Sequence, residues 1–95
     1  MIDEELENKI DEYINKNSKL IDFIQNIVHL KNINECIRKT IREALENAMY
    51  SDNARGVYEY DTSKGYIYAI VDYDYCLANK NVYIELGYKI NNYNI

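Results

Sequence analysis

Residues 66–76 read Tyr-Ile-Tyr-Ala-Ile-Val-Asp-Tyr-Asp-Tyr-Cys and form the longest β-prone apolar run of the chain. Turn-forming residues bound this run, with Asp61 to Gly65 before it and Leu77 to Asn81 after it. Beyond these turns, residues 57–61 and 82–90 alternate along the chain with the two-residue period of a half-buried strand. The pattern predicts a three-stranded antiparallel meander with residues 66–76 as its central strand.

Apolar residues in the first half of the chain recur every three or four positions, as in amphipathic helices. Residues 2–15, 19–31 and 33–50 each carry such a stripe, and the second one, which includes Phe23, is expected to face the core. Asn15 to Ser18 interrupt the pattern without a Gly or Pro. The first two stripes therefore form either two helices or one bent helix.

Asn32 and Glu35 have the spacing of a capping box, which predicts the start of the third helix there. A polar stretch from Ser51 to Gly56 predicts where the helical half ends. The sequence thus predicts an α+β fold, in which two or three N-terminal helices pack on one face of a C-terminal three-stranded antiparallel β-meander. One domain is expected over residues 1–95, with a helical half at about 2–50, the meander at about 57–90 and a loose tail at 91–95.

The net charge of −5 is spread along the chain without a basic block. Binding to a phosphate backbone needs such a block, so nucleic-acid binding is not expected. Bases do gather near the start of the third helix, but the i,i+4 spacing pairs Lys39 with Glu35 and Arg42 with Glu46.

Two cysteines, an acidic N-terminus and the lack of an apolar run of about 20 residues predict a cytoplasmic protein without a membrane span. Ile, Asn, Lys and Tyr, whose codons are AT-rich, dominate the composition. The placement of the eleven tyrosines is therefore more informative than their number.

The two-residue period also predicts which side chains share a face of the sheet. A four-residue loop at 62–65 pairs Asp61 with Tyr66 and Glu59 with Tyr68. The face that the helices cover is expected to hold Ile67, Ala69, Val71, Tyr73, Tyr75, Val82, Ile84, Leu86, Tyr88 and Ile90. The opposite face is expected to carry the candidate partner-binding residues Glu59, Asp61, Tyr66, Tyr68, Ile70, Asp72, Asp74, Tyr83 and Glu85.

Tyrosines surrounded by carboxylates are typical of a protein-binding patch for a basic partner, because Tyr offers contact area and the acids orient the partner. Two other interpretations stay open at this point. The face is only solvated, or it serves self-association, with the edge strands at 57–61 and 82–90 pairing between copies.

Acidic side chains are the main candidates for a metal-binding or catalytic site. Asp72 and Asp74 lie two residues apart on one strand face, and with Glu85 they provide oxygen ligands for a divalent cation. A metal-dependent hydrolase that uses these three residues is therefore one alternative function. Alternating Asp on an exposed strand also has a plain explanation, which is solubility.

Other motifs of catalysis or cofactor binding are lacking in the sequence. His29 is the single histidine and is expected at a helix surface or boundary, while Cys36 and Cys76 are expected to be small buried residues, so no zinc set arises. The glycines form no nucleotide-binding loop, and Gly87 predicts a bulge or a close approach of another group. No catalytic residue, metal or cofactor is predicted.

The order helix–helix–strand–strand–strand over roughly residues 20–90 is similar to the later part of RelE/ParE-type toxins. The ribonucleases of that family rely on basic and His residues near the sheet, whereas this sheet offers Glu59, Asp72, Asp74 and Glu85. The resemblance is one of topology and assigns no functional residue to this chain.

The leading hypothesis is a small cytosolic protein-interaction module without enzymatic activity, which binds another protein that has a basic surface. An inhibitor or accessory protein of a phage or mobile element, with an anti-defence or anti-CRISPR-like role, fits the size, the acidity and the lack of a catalytic motif. A homo-oligomer that binds a small ligand between its subunits is the alternative from another class.

Overall fold

Three helices precede a three-stranded sheet in the computed structural model, which describes residues 2–74 and 81–90. The sheet is antiparallel and has the strand order β1-β2-β3. The predicted α+β class, with helices first and a β-meander after them, is confirmed. The elements are α1 (Glu4–Lys16), α2 (Ser18–Val28), α3 (Ile33–Met49), β1 (Arg55–Thr62), β2 (Gly65–Asp74) and β3 (Asn81–Ile90).

Asn17 separates α1 from α2, so the first two stripes form two helices and not one bent helix. Its backbone N–H donates to the Ile14 carbonyl at 3.2 Å, and its side-chain Nδ2 donates to the Tyr13 carbonyl at 2.8 Å. These bonds satisfy carbonyl groups that the end of a helix leaves without a partner. A polar side chain thus ends α1 where neither Gly nor Pro is present.

His29 forms the turn between α2 and α3, where it is exposed and has a left-handed backbone with φ of 53°. The Gln25 side chain holds this turn by donating to the Leu30 carbonyl at 2.7 Å and accepting from the Leu30 N–H at 3.1 Å. The predicted boundary position of His29 is confirmed. The predicted capping box does not form, because Asn32 makes no side-chain hydrogen bond to α3.

The helices cover one face of the sheet and form a single apolar cluster with it. In β2, Ile67, Ala69 and Val71 are 0% exposed, which confirms the predicted inward row over the described part of the strand. The buried members of the cluster are Leu6, Ile10, Ile14, Ile21, Ile24, Val28, Ile37, Ile41, Ala44, Leu45, Ala48, Ile67, Ala69, Val71, Tyr73 and Leu86.

Phe23 differs from its prediction, since its side chain is 61% exposed and does not enter the core. α2 buries Ile21, Ile24 and Val28 instead. The apolar stripe read from the sequence is wider than the face that α2 can bury, because α2 packs on neighbours from one side only.

α3 lies beneath β1, and the two backbones come very close at Gly56. A Cβ atom built on Gly56 would lie 2.1 Å from the Ala44 carbonyl oxygen and 2.3 Å from the Ala48 nitrogen. Glycine is the residue that permits such an approach. The polar stretch between the helical half and the sheet was predicted to run to Gly56. It is shorter in the structure, because β1 already begins at Arg55.

Two ion pairs join α1 to α3, one between Arg38 and Asp11 and the other between Arg42 and Glu7. The prediction that Arg42 pairs with Glu46 along its own helix is wrong, because α1 packs beside α3 and offers Glu7. The bases of α3 are thus partly accounted for by contacts between helices.

Some predictions fall outside the described residues, namely those for Tyr75, Cys76, the turn up to residue 80 and the tail at 91–95. Within residues 2–74 and 81–90, no helix has both the length and the apolar character needed to cross a membrane.

Candidate protein-binding face

Over residues 2–74 and 81–90, one face of the sheet carries no helix, and we call it the open face. The register pairs Asp61 with Tyr66 and Glu59 with Tyr68, as predicted. Every one of the nine predicted partner-binding residues lies on this face, because each has an odd position in β1 or β3, or an even position in β2. Its members are Arg55, Val57, Glu59, Asp61, Tyr66, Tyr68, Ile70, Asp72, Asp74, Asn81, Tyr83, Glu85, Gly87 and Lys89.

Five members of the open face are not among the nine predicted residues, namely Arg55, Val57, Asn81, Gly87 and Lys89. Val57 was recoverable, since the register that places Glu59 and Asp61 outward places Val57 there as well. Arg55 was not recoverable, because the polar stretch before it gives no sign that β1 starts so early.

Apolar and aromatic side chains occupy the centre of the open face. Val57 is paired with Ile70 across β1 and β2, and Val57 remains 48% exposed. Tyr83 is 62% exposed at the far end of the face. A shallow depression of about 310 Å³ at the centre is lined by Val57, Glu59, Tyr66, Tyr68, Ile70, Glu85 and Lys89.

The Tyr68 ring lies over Gly87, its neighbour on β3. A Cβ atom at Gly87 would come within 2.4 Å of the Tyr68 ring carbon Cζ. The pairing between β2 and β3 runs through Gly87 without an extra residue, so the glycine marks a close approach and not a bulge. An aromatic ring that covers a glycine on the next strand is a recognised way to pin register.

The charges of the open face divide into a paired set and an unpaired set. Arg55 binds Asp72 through two hydrogen bonds of 3.0 and 3.4 Å, so this carboxylate is already neutralised. Glu59, Asp61 and Glu85 are exposed, and no ion pair holds them within the described part of the chain.

The residues proposed as metal ligands do not form a site. Among the described residues, no three His, Cys, Asp or Glu side chains lie close enough together to hold a metal ion. Asp72 in particular faces Arg55, whose guanidinium would have to leave before a cation could bind.

The two outer edges of the sheet differ. α1 packs beside β3, where Tyr13 lies close to Leu86 and Glu85. Burial raises the pKa of Tyr13 above its ordinary value of 10.0, a hydrogen bond with the Leu86 backbone opposes the rise, and the charge of Glu85 adds to it. In the described part of the chain, α3 packs beneath β1, and its Asn47 side chain donates to the Val57 carbonyl at the outer edge of that strand.

Tyr60 and Cys36 meet on the helix side of β1. A hydrogen bond with the Cys36 side chain is the main cause that raises the pKa of Tyr60 above 10.0. Cys36 is half-buried, so its predicted burial is wrong, because it lies at the rim between α3 and the sheet and not in the core. A depression of about 510 Å³ beside them is lined by Leu30, Lys31, Asn32, Glu35, Cys36, Lys39 and Tyr60.

Comparison with protein-family models, with curated proteins and with solved structures finds no match to this chain. The likeness to RelE/ParE-type toxins therefore stays a similarity in the order of the elements.

Proposed function

We propose that this chain is a small protein-interaction module that binds a partner protein with a basic surface through the open face. The observation that carries the proposal is an uncovered apolar and aromatic centre that lies between exposed, unpaired carboxylates. Val57, Ile70 and Tyr68 supply the centre, and Glu59 and Glu85 flank it on β1 and β3.

The apolar centre of the face and the carboxylates around it contribute to binding in different ways. Burial of the aromatic and aliphatic centre supplies free energy at low entropic cost, since Tyr and Ile have few rotamers to lose. The carboxylates speed the encounter with a basic surface and fix its orientation more than they add affinity. No step of bond making or breaking is assigned to the face, so the module acts by occupying its partner's surface.

A role as an inhibitor or accessory protein of a phage or mobile element fits this mode of action. Such a protein needs only a surface that competes with the partner's natural ligand. A basic partner surface that normally receives nucleic acid is the kind of site that an acidic sheet face can occupy.

The test is affinity capture from a lysate of an AT-rich bacterium with three matched baits. The first is the wild type, and the second is Glu59→Lys/Glu85→Lys, which reverses the unpaired border charges. The third, Glu4→Lys/Asp22→Lys, makes the same change in net charge at exposed positions of α1 and α2, on the other side of the molecule.

We expect a protein that the wild type and the helix variant retain and that the open-face variant loses. Its retention should fall as salt is added, because exposed charges are screened over about 8–10 Å at moderate ionic strength. Equal retention of every captured protein by all three baits would contradict the proposal.

A further inference from the structure

The outer edge of β1 has backbone groups that point away from the sheet. Tyr73 donates its N–H to the Ala54 carbonyl at 2.9 Å, so Ala54 directs its polar groups toward β2. These directions alternate along an antiparallel pair. The N–H and C=O groups of Arg55, Val57, Glu59 and Asp61 therefore face outward.

Side chains already bond two of the four outward groups in the first half of this edge. Asn53 Oδ1 accepts from the Arg55 N–H at 3.1 Å, and Asn47 Nδ2 donates to the Val57 carbonyl at 2.9 Å. Within the described residues, no group reaches the outward N–H or C=O of Glu59 or Asp61. Residues 59–61 thus present two donors and two acceptors in the arrangement that an added strand needs.

The side chains of residues 59–61 add a chemical preference to this edge. Glu59 and Asp61 stand on the open face, where both are exposed and neither has an ion-pair partner in the described chain. Tyr60 points to the other face, beside the depression that Leu30 and Cys36 help to line. The edge therefore has two negative positions on one side and a partly apolar hollow on the other.

We propose that residues 59–61 receive an extended segment of the partner as a fourth strand, antiparallel to β1. The segment carries basic side chains opposite Glu59 and Asp61 and an apolar side chain between them, which enters the hollow beside Tyr60. This inference rests on the proposed function and names the part of the basic partner that the chain recognises.

A second copy of this chain is a poor occupant of the same edge. Pairing two β1 strands over residues 59–61 would bring Glu59 and Asp61 of one copy against the same acids of the other, and like charges opposite each other destabilise a strand pair. Acids on an exposed edge are a common protection against self-pairing. The edge therefore favours a basic strand over its own copy.

Capped synthetic peptides test the inference directly. The probe is Thr-Lys-Val-Lys-Val-Lys-Thr, which alternates basic and apolar residues, and its isomer Thr-Val-Val-Lys-Lys-Lys-Thr has the same composition without the alternation. Two further versions of the probe separate backbone pairing from charge. In the antiparallel pair, lysines opposite Glu59 and Asp61 turn their N–H groups toward β1. Methylation of the lysine backbone nitrogens removes these donors, whereas methylation of the valine nitrogens leaves them in place.

Amide hydrogen exchange of the full-length chain is the readout. We expect millimolar probe to slow exchange at Glu59 and Asp61 by about tenfold or more, as newly bonded amides do. The valine-methylated probe should act likewise, and the isomer and the lysine-methylated probe should not. Unchanged exchange at both amides, or equal protection by the lysine-methylated probe, would overturn the inference.

A conservative variant checks the charge requirement. Glu59→Gln/Asp61→Asn should weaken binding of the probe about tenfold, and Glu4→Gln/Asp22→Asn, which removes the same charge at exposed positions of α1 and α2, should change it by less than about twofold. Equal weakening by both variants would show a general charge effect and overturn the edge assignment.

Failure of this inference can be told apart from failure of the proposed function. If the amides at 59–61 stay unprotected while the open-face variant still loses its captured partner, only the edge assignment is wrong. If every bait retains the same proteins, the open face is not the binding surface, whatever the peptides do.

Discussion

The two faces of the sheet are built from alternate residues of the same strands, yet they tolerate change very differently. On the helix side of β2, Ile67, Ala69 and Val71 are 0% exposed, and at Gly56 the backbone of β1 touches that of α3. On the open face, the tight contact at Gly87 is made by the end of the Tyr68 side chain. A backbone contact cannot relax, whereas a side-chain contact can, so one face is rigid and the other is adjustable.

The largest expected effect is that of Gly56→Ala on the covered face. The new methyl group would collide with backbone atoms of Ala44 and Ala48, and neither α3 nor β1 can move without opening the core. We expect the free energy of unfolding to fall by more than about 3 kcal/mol. Denaturant unfolding followed by circular dichroism measures it, and a loss below about 1 kcal/mol would show that α3 and β1 are not this close.

Truncation of two isoleucines in β2 compares the faces directly. Ile67→Ala should cost about 2–5 kcal/mol, because it removes a fully buried side chain and leaves a cavity. Ile70→Ala, on the open face three residues later, should cost about 1 kcal/mol or less, since water already reaches Ile70. Similar losses for both variants, measured by the same unfolding experiment, would contradict the assignment of the faces.

Gly87→Ala is the open-face counterpart of Gly56→Ala. The added methyl group meets the Tyr68 ring, which can rotate away, and Ala is also better suited than Gly to a strand interior. We expect the stability to change by less than about 1 kcal/mol in either direction. The ring signals of Tyr68 in an NMR spectrum should shift, and unchanged signals would be inconsistent with a ring that covers Gly87.

The smallest effect is expected at high pH, from Tyr13 between α1 and β3. Its pKa in the folded chain lies above the ordinary value of 10.0, chiefly because of burial. The folded state thus holds the phenol proton more tightly than the unfolded state does. The associated stability is complete below pH 10.0 and is lost as the pH rises through the folded pKa.

Tyr13→Phe should therefore lose less stability than the wild type as the pH is raised past 10.0. Tyr50→Phe removes the same hydroxyl from a side chain that is 78% exposed and serves as the matched control. Urea unfolding at a series of pH values measures the slopes. Equal slopes for Tyr13→Phe and the wild type would show that Tyr13 is not held at the β3 edge.

Local patterns predicted the elements well because they depend on neighbouring residues. The two-residue period around Tyr66 and Tyr68 predicted the strand register, and the period of three to four residues predicted each helix to within a few positions. Local patterns did not predict the features that depend on contacts between distant elements. Arg42 pairs with Glu7 of α1, Phe23 is exposed, and the backbone of β1 comes close to that of α3 at Gly56.

On the candidate binding face, too, the sequence predicted the local features and not those that depend on packing. Its nine predicted residues follow from register alone, and the alternation of β2 makes that register clear. The neutralisation of Asp72 by Arg55 could not be read from the sequence, because 17 positions separate the two residues. The unequal edges also depend on packing, since α1 lies beside β3 and the Asn47 side chain of α3 reaches the Val57 carbonyl at the edge of β1.

The sequence by itself determined the element order and the division of each strand into an inward and an outward row, because hydrophobic periodicity is a local property of the chain. Tertiary structure alone decided which charges are paired, which edge is covered and where two backbones touch. Those features arise when elements far apart in sequence pack together, and no local pattern records them. Residues 59–61 combine both kinds of information, with acids that the sequence places outward and an edge that only the packing leaves open.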